Sequence, residues 1–305
     1  MYIKASKTSV LRNKEKGSAT IQNSYKKRKK EQMMQEMILC NNVKIPIIGF
    51  GVFQTKEGKE TKEAVKWALE GGYRHIDTAK IYGNEASVGE AIKESGVRRE
   101  DIFLTSKIWN QDIRDQRTRA AFEESLERLD TDYLDLCLIH WPAEGYPEAW
   151  TALEELYHEG KIKAIGVSNF HIHHFDTLAE TMTILPMVNQ IESNPRFNNQ
   201  PLIDYCQAKG IVVESYSPLG GTGTNMIADP TLKGIADKYK KSVVHVILRW
   251  NIQRNIVALP KSVHKKYIQS NIDCFDFALT DEEMLQINAM NTNTRSGGDP
   301  DNFSF

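Results

Sequence analysis

The stretch Tyr73–Glu85 reads YRHIDTAKIYGNE and carries an acid, Asp77, followed five residues later by a phenol, Tyr82. Tyr73, His75 and Asp77 alternate with Arg74 and Ile76, so the acid falls at the end of a short strand-like segment. A carboxylate at a strand end is a common way for an α/β protein to present charge at a site mouth. A Tyr beside Gly83–Asn84 falls on a loop, where its hydroxyl can meet a ligand. Alone, the pair reads equally well as a satisfied Asp and a packing Tyr.

Later apolar runs also end in polar groups. Lys107 lies in IFLTSKIW, His140 and Trp141 in LDLCLIHWP, and Ser168–Asn169 in AIGVSNF. Gln190 lies in MVNQIE, Tyr216 in IVVESYSPLGG and Lys261–Ser262 in IVALPKS. Singly, these have plain structural readings: a snorkelling Lys, a core His, a helix-capping Asn. Together they describe one rim on which several strands present chemistry to the same ligand.

Positioning such a rim requires a regular alternation of elements. Strands are predicted at 47–50, 73–77, 102–108, 133–140, 162–167, 187–191, 211–216 and 255–259. Helical periods fall between or after them at 60–71, 85–95, 115–129, 147–159, 171–180, 199–209, 229–240 and 264–275. Eight strand–helix pairs in succession specify a parallel sheet that closes as a (β/α)8 TIM barrel. MILC–NN–VKIP reads as a preceding β-hairpin with an Asn–Asn turn, and Thr280–Glu283 as a capping box opening a short C-terminal helix before the tail. An open doubly wound sheet is the alternative. It wants a Gly-rich turn into the first crossover helix, and GFGVFQ at 49–54 has two of the three glycines.

The chain has 305 residues, 40% of them hydrophobic, and a single barrel commonly needs about 250. Its net charge of −1 argues against nucleic acid or an anionic membrane as main partner. Residues 1–36 carry ten Lys/Arg against three Glu, a net of +7, which leaves −8 on the remainder. That segment lacks an apolar period and is expected to be a disordered basic tail preceding a catalytic domain over 37–305. Cys40, Cys137, Cys206 and Cys274 form no C-x-x-C pair and read as reduced, mostly buried thiols of a cytoplasmic protein. No apolar run approaches the ~18–20 residues of a membrane span, and a monomer is expected.

The segments GGYRHIDTAKIYGNEASVG, TSKIW, LIHWP, GKIKAIGVSNF and LPKS, taken in order, closely resemble the aldo-keto reductase family from Met37 to Phe305. The short loop at 143–147 resembles that of short-loop microbial members such as the 2,5-diketogluconate reductases. The resemblance implies a catalytic tetrad of Asp77, Tyr82, Lys107 and His140. Carbonyl reduction needs a hydride at carbon, which a nicotinamide supplies, and a proton at oxygen, for which Tyr82 is the candidate acid. An ammonium near 4 Å in an effective dielectric of ~20 is worth about 4 kcal/mol, enough to lower a phenol by roughly three pH units. Lys107 is expected to do this, with Asp77 holding it charged and His140 orienting the substrate oxygen. An imidazole donor is the competing assignment.

The resemblance also implies NADPH as cofactor, with NADH possible. Ser168, Asn169 and Gln190 would bind the carboxamide, Tyr216 would stack on the ring, and Ser217 and Leu219 would line the pyrophosphate. Gly51, Val52 and Asp77 would meet the cofactor from the opposite rim, and Lys261, Ser262, Val263, Tyr267 and Asn271 at its adenosine end. Relatives usually have Arg at the position of Tyr267, and its loss removes a bidentate phosphate clamp. Lys265 or Lys266 could replace the charge but not the geometry. Ser193–Asn194 is a second departure from an aromatic–His pair. Phe53, Trp109, His140 and Trp141 would enclose the substrate, an aldehyde, ketone or sugar-derived carbonyl. A nucleotide-binding barrel acting as a regulatory or scaffolding subunit is the alternative function. His171, His173 and His174 open a helix and are read as surface residues and not as a metal site, because their spacing does not place all three on one face and no carboxylate–His framework accompanies them.

Overall fold

The computed structural model describes residues 35–221 and 224–305, so the expected tail at 1–36 falls almost wholly outside the described residues. Strands β1 (Glu36–Ile38) and β2 (Lys44–Pro46) pair antiparallel as the expected hairpin. Asn42 takes φ 68 in its turn, a conformation Asn tolerates better than most residues.

Eight parallel strands follow: β3 (Phe50–Gly51), β4 (His75–Asp77), β5 (Phe103–Ile108), β6 (Leu136–Ile139), β7 (Ile165–Ser168), β8 (Val188–Glu192), β9 (Val212–Tyr216) and β10 (Ile256–Ala258). Each pairs with its neighbour in chain order. The ring closes where Ile48 bridges Ala258, with Gly49 N–H donating to Ala258 O at 2.9 Å and Ala258 N–H to Ile47 O at 3.0 Å. Closure removes the free strand edges, and helices cover the outside. The strands carry the expected order, though most are shorter than the apolar runs that announce them.

The helices match the sequence reading except in two places. The period at 115–129 becomes the helix Thr118–Leu129, and a short helix, Asn110–Arg114, precedes it where none was expected. A helix at Val243–Gln253 was not anticipated; it buries Val243, Val246, Ile247, Leu248, Trp250 and Ile252 around most of its circumference. Its apolar density and its β-branched Val243, Val244, Val246, Ile247 and Ile252 give it the local look of a buried strand. The capping box at Thr280 is present: Glu283 N–H donates to Thr280 Oγ1 and Thr280 N–H to Glu283 Oε2.

The barrel interior is not purely apolar. Asp77 of β4, Lys107 of β5, Gln190 of β8 and Glu214 of β9 are all buried inside it. Burying such groups is favourable only if they satisfy one another, and their partners define the site.

Candidate active site

Tyr82 is held by the loop that leaves β4. A 3-10 turn, Lys80–Tyr82, ends at Gly83 with φ 65, and the next helix begins at Glu85. Buried Asn84 fixes this loop by donating from Nδ2 to Val52 O at 2.9 Å and accepting from Thr78 Oγ1 at 2.9 Å. Lys80 anchors its outer side on Asp112 and Glu124.

The ammonium of Lys107 donates to both oxygens of Asp77 at 2.8 Å, to Thr78 O at 2.8 Å and toward Tyr82 Oη at 3.4 Å. Burial, the largest influence on Lys107, disfavours its charge. The nearby Asp77 carboxylate and Tyr82 outweigh it, and the group is held above the ordinary lysine range. The ammonium is therefore a fixed positive charge beside the phenol.

The phenol itself departs from the simple two-charge expectation. Burial dominates and lifts Tyr82 above its usual value, with Asp77 adding to the rise; Lys107 opposes both without reversing them. Its charge opposes the burial penalty without bringing the phenol below its ordinary value.

His140 ends β6, its N–H bonded to Ile108 O and its ring 5.7 Å from that of Tyr82. Burial, reinforced by Lys107, holds its imidazole well below the usual range, so the ring is neutral at pH 7. Its Nδ1 is buried with no partner. A neutral ring is suited to orienting an oxygen by hydrogen bonding, and not to acting as an imidazolium donor.

The expected carboxamide-binding residues form a connected row. Ser168 Oγ donates to Gln190 O at 2.9 Å, Asn169 Nδ2 to His140 O at 3.0 Å, and Tyr216 Oη to Asn169 Oδ1 at 2.7 Å. Asn169 takes φ 64, which turns its amide back across the rim. Gln190 Nε2 bridges Asp77 Oδ2 at 2.8 Å and Glu214 Oε2 at 2.9 Å, linking this row to the Lys107 centre. Glu214 was overlooked in the sequence, although a lone acid inside an apolar strand was a usable signal. Burial first, then the Asp77 charge, push its carboxyl up to about 8.

Beyond Tyr216, Ser217 (φ 46), Gly220 (φ 78) and Gly221 (φ 60) turn the chain repeatedly, with Leu219 half-buried between them. Gly51 and Val52 leave β3, where Val52 N–H donates to Asp77 O at 3.0 Å. A Cβ at Gly51 would make only ordinary contact with Leu259 O, so space does not demand glycine there. After β10, Lys261 is exposed, Ser262 Oγ accepts from His264 N–H, and Val263 is half-buried. Tyr267 is 56% exposed and Asn271 is buried. Lys265 is engaged with Glu70 at 3.0 Å and lies over Trp67, which leaves Lys266 better able than Lys265 to meet a phosphate. Ser193 O accepts from Ser215 Oγ, and Asn194 Oδ1 accepts from Arg196 N–H and Phe197 N–H. This second departure therefore builds a turn.

The aromatic residues converge as expected. Phe53 lies 5.0 Å from the Tyr82 ring, and Trp109 lies 5.2 Å from His140. Sequence reasoning missed the C-terminal contribution to this wall. Phe305 stacks on Trp109 at 5.9 Å and meets Trp141 edge-on at 5.0 Å, while Phe303 packs on Trp141 at 5.2 Å. Asn110 Nδ2 and Arg114 donate to Phe305 O. Glu192 fixes the approach to this segment by accepting from Ser296 N–H, Ser296 Oγ and Gly297 N–H.

The residues also fit a nicotinamide nucleotide. The row presents a half-buried phenol ring for a flat ring to lie on, held in place by the Asn169 amide, beside a buried His140 Nδ1 that no protein group satisfies. The chain matches the model of the Aldo/keto reductase family over residues 47–292. It is 53% identical over 272 residues to the uncharacterized oxidoreductase YtbE of Bacillus subtilis, covering 88% of this chain and 96% of that protein. It is 50% identical over 268 residues to the glyoxal reductase of the same organism, with coverage of 88% and 96%. Among solved structures, the Bombyx mori aldo-keto reductase in complex with NADP superposes with a TM-score of 0.81 at 39% identity, covering 88% and 96% of the two chains.

Proposed function

The chain belongs to the aldo/keto reductase family, and from that premise we propose that it reduces small aldehydes and ketones to alcohols with Tyr82 as the proton donor. The family, the glyoxal reductase relative and the relative solved with NADP support NAD(P)H-dependent carbonyl reduction, and none of these supports the alternative of a regulatory subunit. The observation that carries the assignment is the buried Asp77–Lys107 pair with half-buried Tyr82 against it, beside a neutral His140.

When bound, the reduced nicotinamide supplies the hydride. Ser168, Asn169 and Gln190 would hold its carboxamide and Tyr216 its ring. Gly51, Val52, Ser217 and Leu219 would line its path, and Lys261, Ser262, Val263, Tyr267 and Asn271 its adenosine end. Tyr82 would hold a proton at Oη until negative charge develops on the substrate oxygen. Lys107 would then stabilise the phenolate left behind, and Asp77 would keep Lys107 charged and in place. His140 would fix the carbonyl oxygen near Oη through a hydrogen bond.

Phe53, Trp109 and Trp141, extended by Phe303 and Phe305, would enclose the carbonyl in apolar surface. Such a wall excludes water but discriminates weakly among small substrates. The kinship with a glyoxal reductase supports short aldehydes and α-oxoaldehydes as a substrate class. NADPH is the preferred cofactor in this reading, with a reduced margin over NADH because Tyr267 stands where a guanidinium would clamp the phosphate. None of the described helices is long and apolar enough to cross a membrane. Cys137, Cys206 and Cys274 are buried free thiols and Cys40 an exposed one, which supports a cytoplasmic enzyme. The net charge of −1 supports a small-molecule enzyme without a nucleic-acid partner, and it is proposed to act as a monomer.

A carbonyl panel including methylglyoxal and a nitrobenzaldehyde, run with NADPH and NADH, tests the reading. Tyr82→Phe is expected to lower turnover at least ~10²-fold with little change in cofactor affinity. Tight cofactor binding without turnover across the panel would overturn the enzyme assignment. Unchanged turnover in Tyr82→Phe would remove Tyr82 as the acid.

A further inference from the structure

Outside this site, three imidazoles and one carboxylate meet at the end of β7. His171, His173 and His174 open the helix Ile172–Leu178, and Asp301 reaches them from the C-terminal segment 130 residues later. Asp301 Oδ2 lies 2.8 Å from His171 Nδ1, while Oδ1 lies 3.1 Å from His173 Nε2 and 3.6 Å from His174 Nε2. One ligand atom from each of the four residues fits within a sphere of contacts no wider than 4.8 Å. Helical spacing alone does not gather these three rings; the fold brings them together on a carboxylate distant in sequence.

We propose that His171, His173, His174 and Asp301 bind a divalent transition-metal ion of the zinc type, which ties the C-terminal segment to the β7 end of the barrel. Three imidazoles and one carboxylate are a donor set that zinc accepts in tetrahedral geometry, with bonds of about 2.0–2.2 Å. Forming that shell requires the four side chains to draw together by roughly an ångström. His173 and Asp301 are exposed and free to move, while His171 and buried His174 are held. The exposed pair also leaves an entry path for the ion.

A lone carboxylate needs only one ring to form an ion pair, so three converging rings are better matched to a cation than to Asp301 alone. The metal-free arrangement opposes binding in two places. His174 Nδ1 accepts from His171 N–H at 3.0 Å, and His171 Nε2 accepts from Arg295 at 2.7 Å. Presenting the inner nitrogens to an ion moves each proton outward and gives up both bonds, at about 1 kcal/mol apiece. The site is therefore expected to be weaker than a preformed structural zinc site.

Asp301 lies two and four residues before Phe303 and Phe305, which cover Trp141 and Trp109. An ion at this point would hold the aromatic end of the segment against the proposed substrate wall without touching Tyr82, Lys107 or His140.

The test is calorimetric titration of the full chain with zinc chloride, paralleled by cobalt(II) absorption as a report of tetrahedral coordination. One zinc per chain is expected. His173→Ala and Asp301→Ala should each weaken it at least about tenfold, while zinc-free carbonyl turnover stays near the wild-type value. Circular dichroism of both variants verifies folding. Absence of saturable binding in the wild type overturns the proposal, as does binding undiminished in both variants. Loss in His173→Ala with full retention in Asp301→Ala overturns the link to the C-terminal segment.

Discussion

Replacing Lys107 by methionine isolates the coupling on which the proposed proton transfer depends. Its ammonium lies 3.4 Å from Tyr82 Oη. At an effective dielectric of about 20, a unit charge at that distance contributes roughly 5 kcal/mol, or between three and four pH units. Burial already outweighs this contribution in the wild type, so its loss leaves the burial penalty unopposed. If about half of the altered acidity is felt while the proton is in transit, kcat/KM for a reactive aldehyde falls about 10²-fold. The alkaline fall of that parameter also moves to higher pH, because a phenol without a neighbouring cation holds its proton more tightly. Removing one member of a buried ion pair also destabilises, by about 3–5 kcal/mol, even though Asp77 retains the Gln190 amide at 2.8 Å. The double variant Lys107→Met/Asp77→Asn restores neutrality in the barrel and separates the two effects. It is expected to recover much of the stability in a denaturant titration while remaining slow in NADPH-oxidation assays. A folded double variant with turnover within a few-fold of wild type would refute the role given to Lys107.

Two further substitutions probe the other halves of the site. Tyr267 is 56% exposed and its ring contact is with His264; Tyr267→Arg should raise the kcat/KM ratio of NADPH over NADH about tenfold through a charged fork on the phosphate. An unchanged ratio would contradict the placement of the adenosine end. Glu214 has its carboxyl raised to about 8, so the folded state binds this proton more tightly than the unfolded chain. Its contribution is fully favourable below the unfolded value near 4.5 and is lost as pH rises toward 8. Glu214→Gln should therefore gain stability relative to wild type across that window, by on the order of 4 kcal/mol at its upper end. Parallel denaturant titrations at low and high pH check this, and a difference independent of pH would show that Glu214 does not titrate there.

The legible features were those written locally. Strand order, the Asn41–Asn42 hairpin and the Thr280 capping box each depend on residues a few positions apart, and each was visible before the fold was known. The helix Val243–Gln253 was hidden because a short apolar run rich in Val and Ile reads locally as a buried strand as readily as a buried helix. Phe303, Phe305 and Asp301 lie in a C-terminal segment without periodicity, so nothing local shows that they return to Trp109, Trp141 and the three histidines. The environment of Tyr82 was hidden in another way. Its partner Lys107 was correctly located, but an estimate from one pair of charges contains no burial, which only the closed barrel supplies. That same burial sorts the remaining interior groups. Asp77 and Lys107 compensate each other at 2.8 Å, while burial holds His75 down at about 4 and Glu214 up at about 8. Both are then neutral near pH 7, so the barrel keeps one paired charge centre, placed where Tyr82 gives up its proton. A second ionised carboxylate at Glu214 would raise the phenol further and blunt the acid, so the dryness that burdens Tyr82 also protects it from a competing charge.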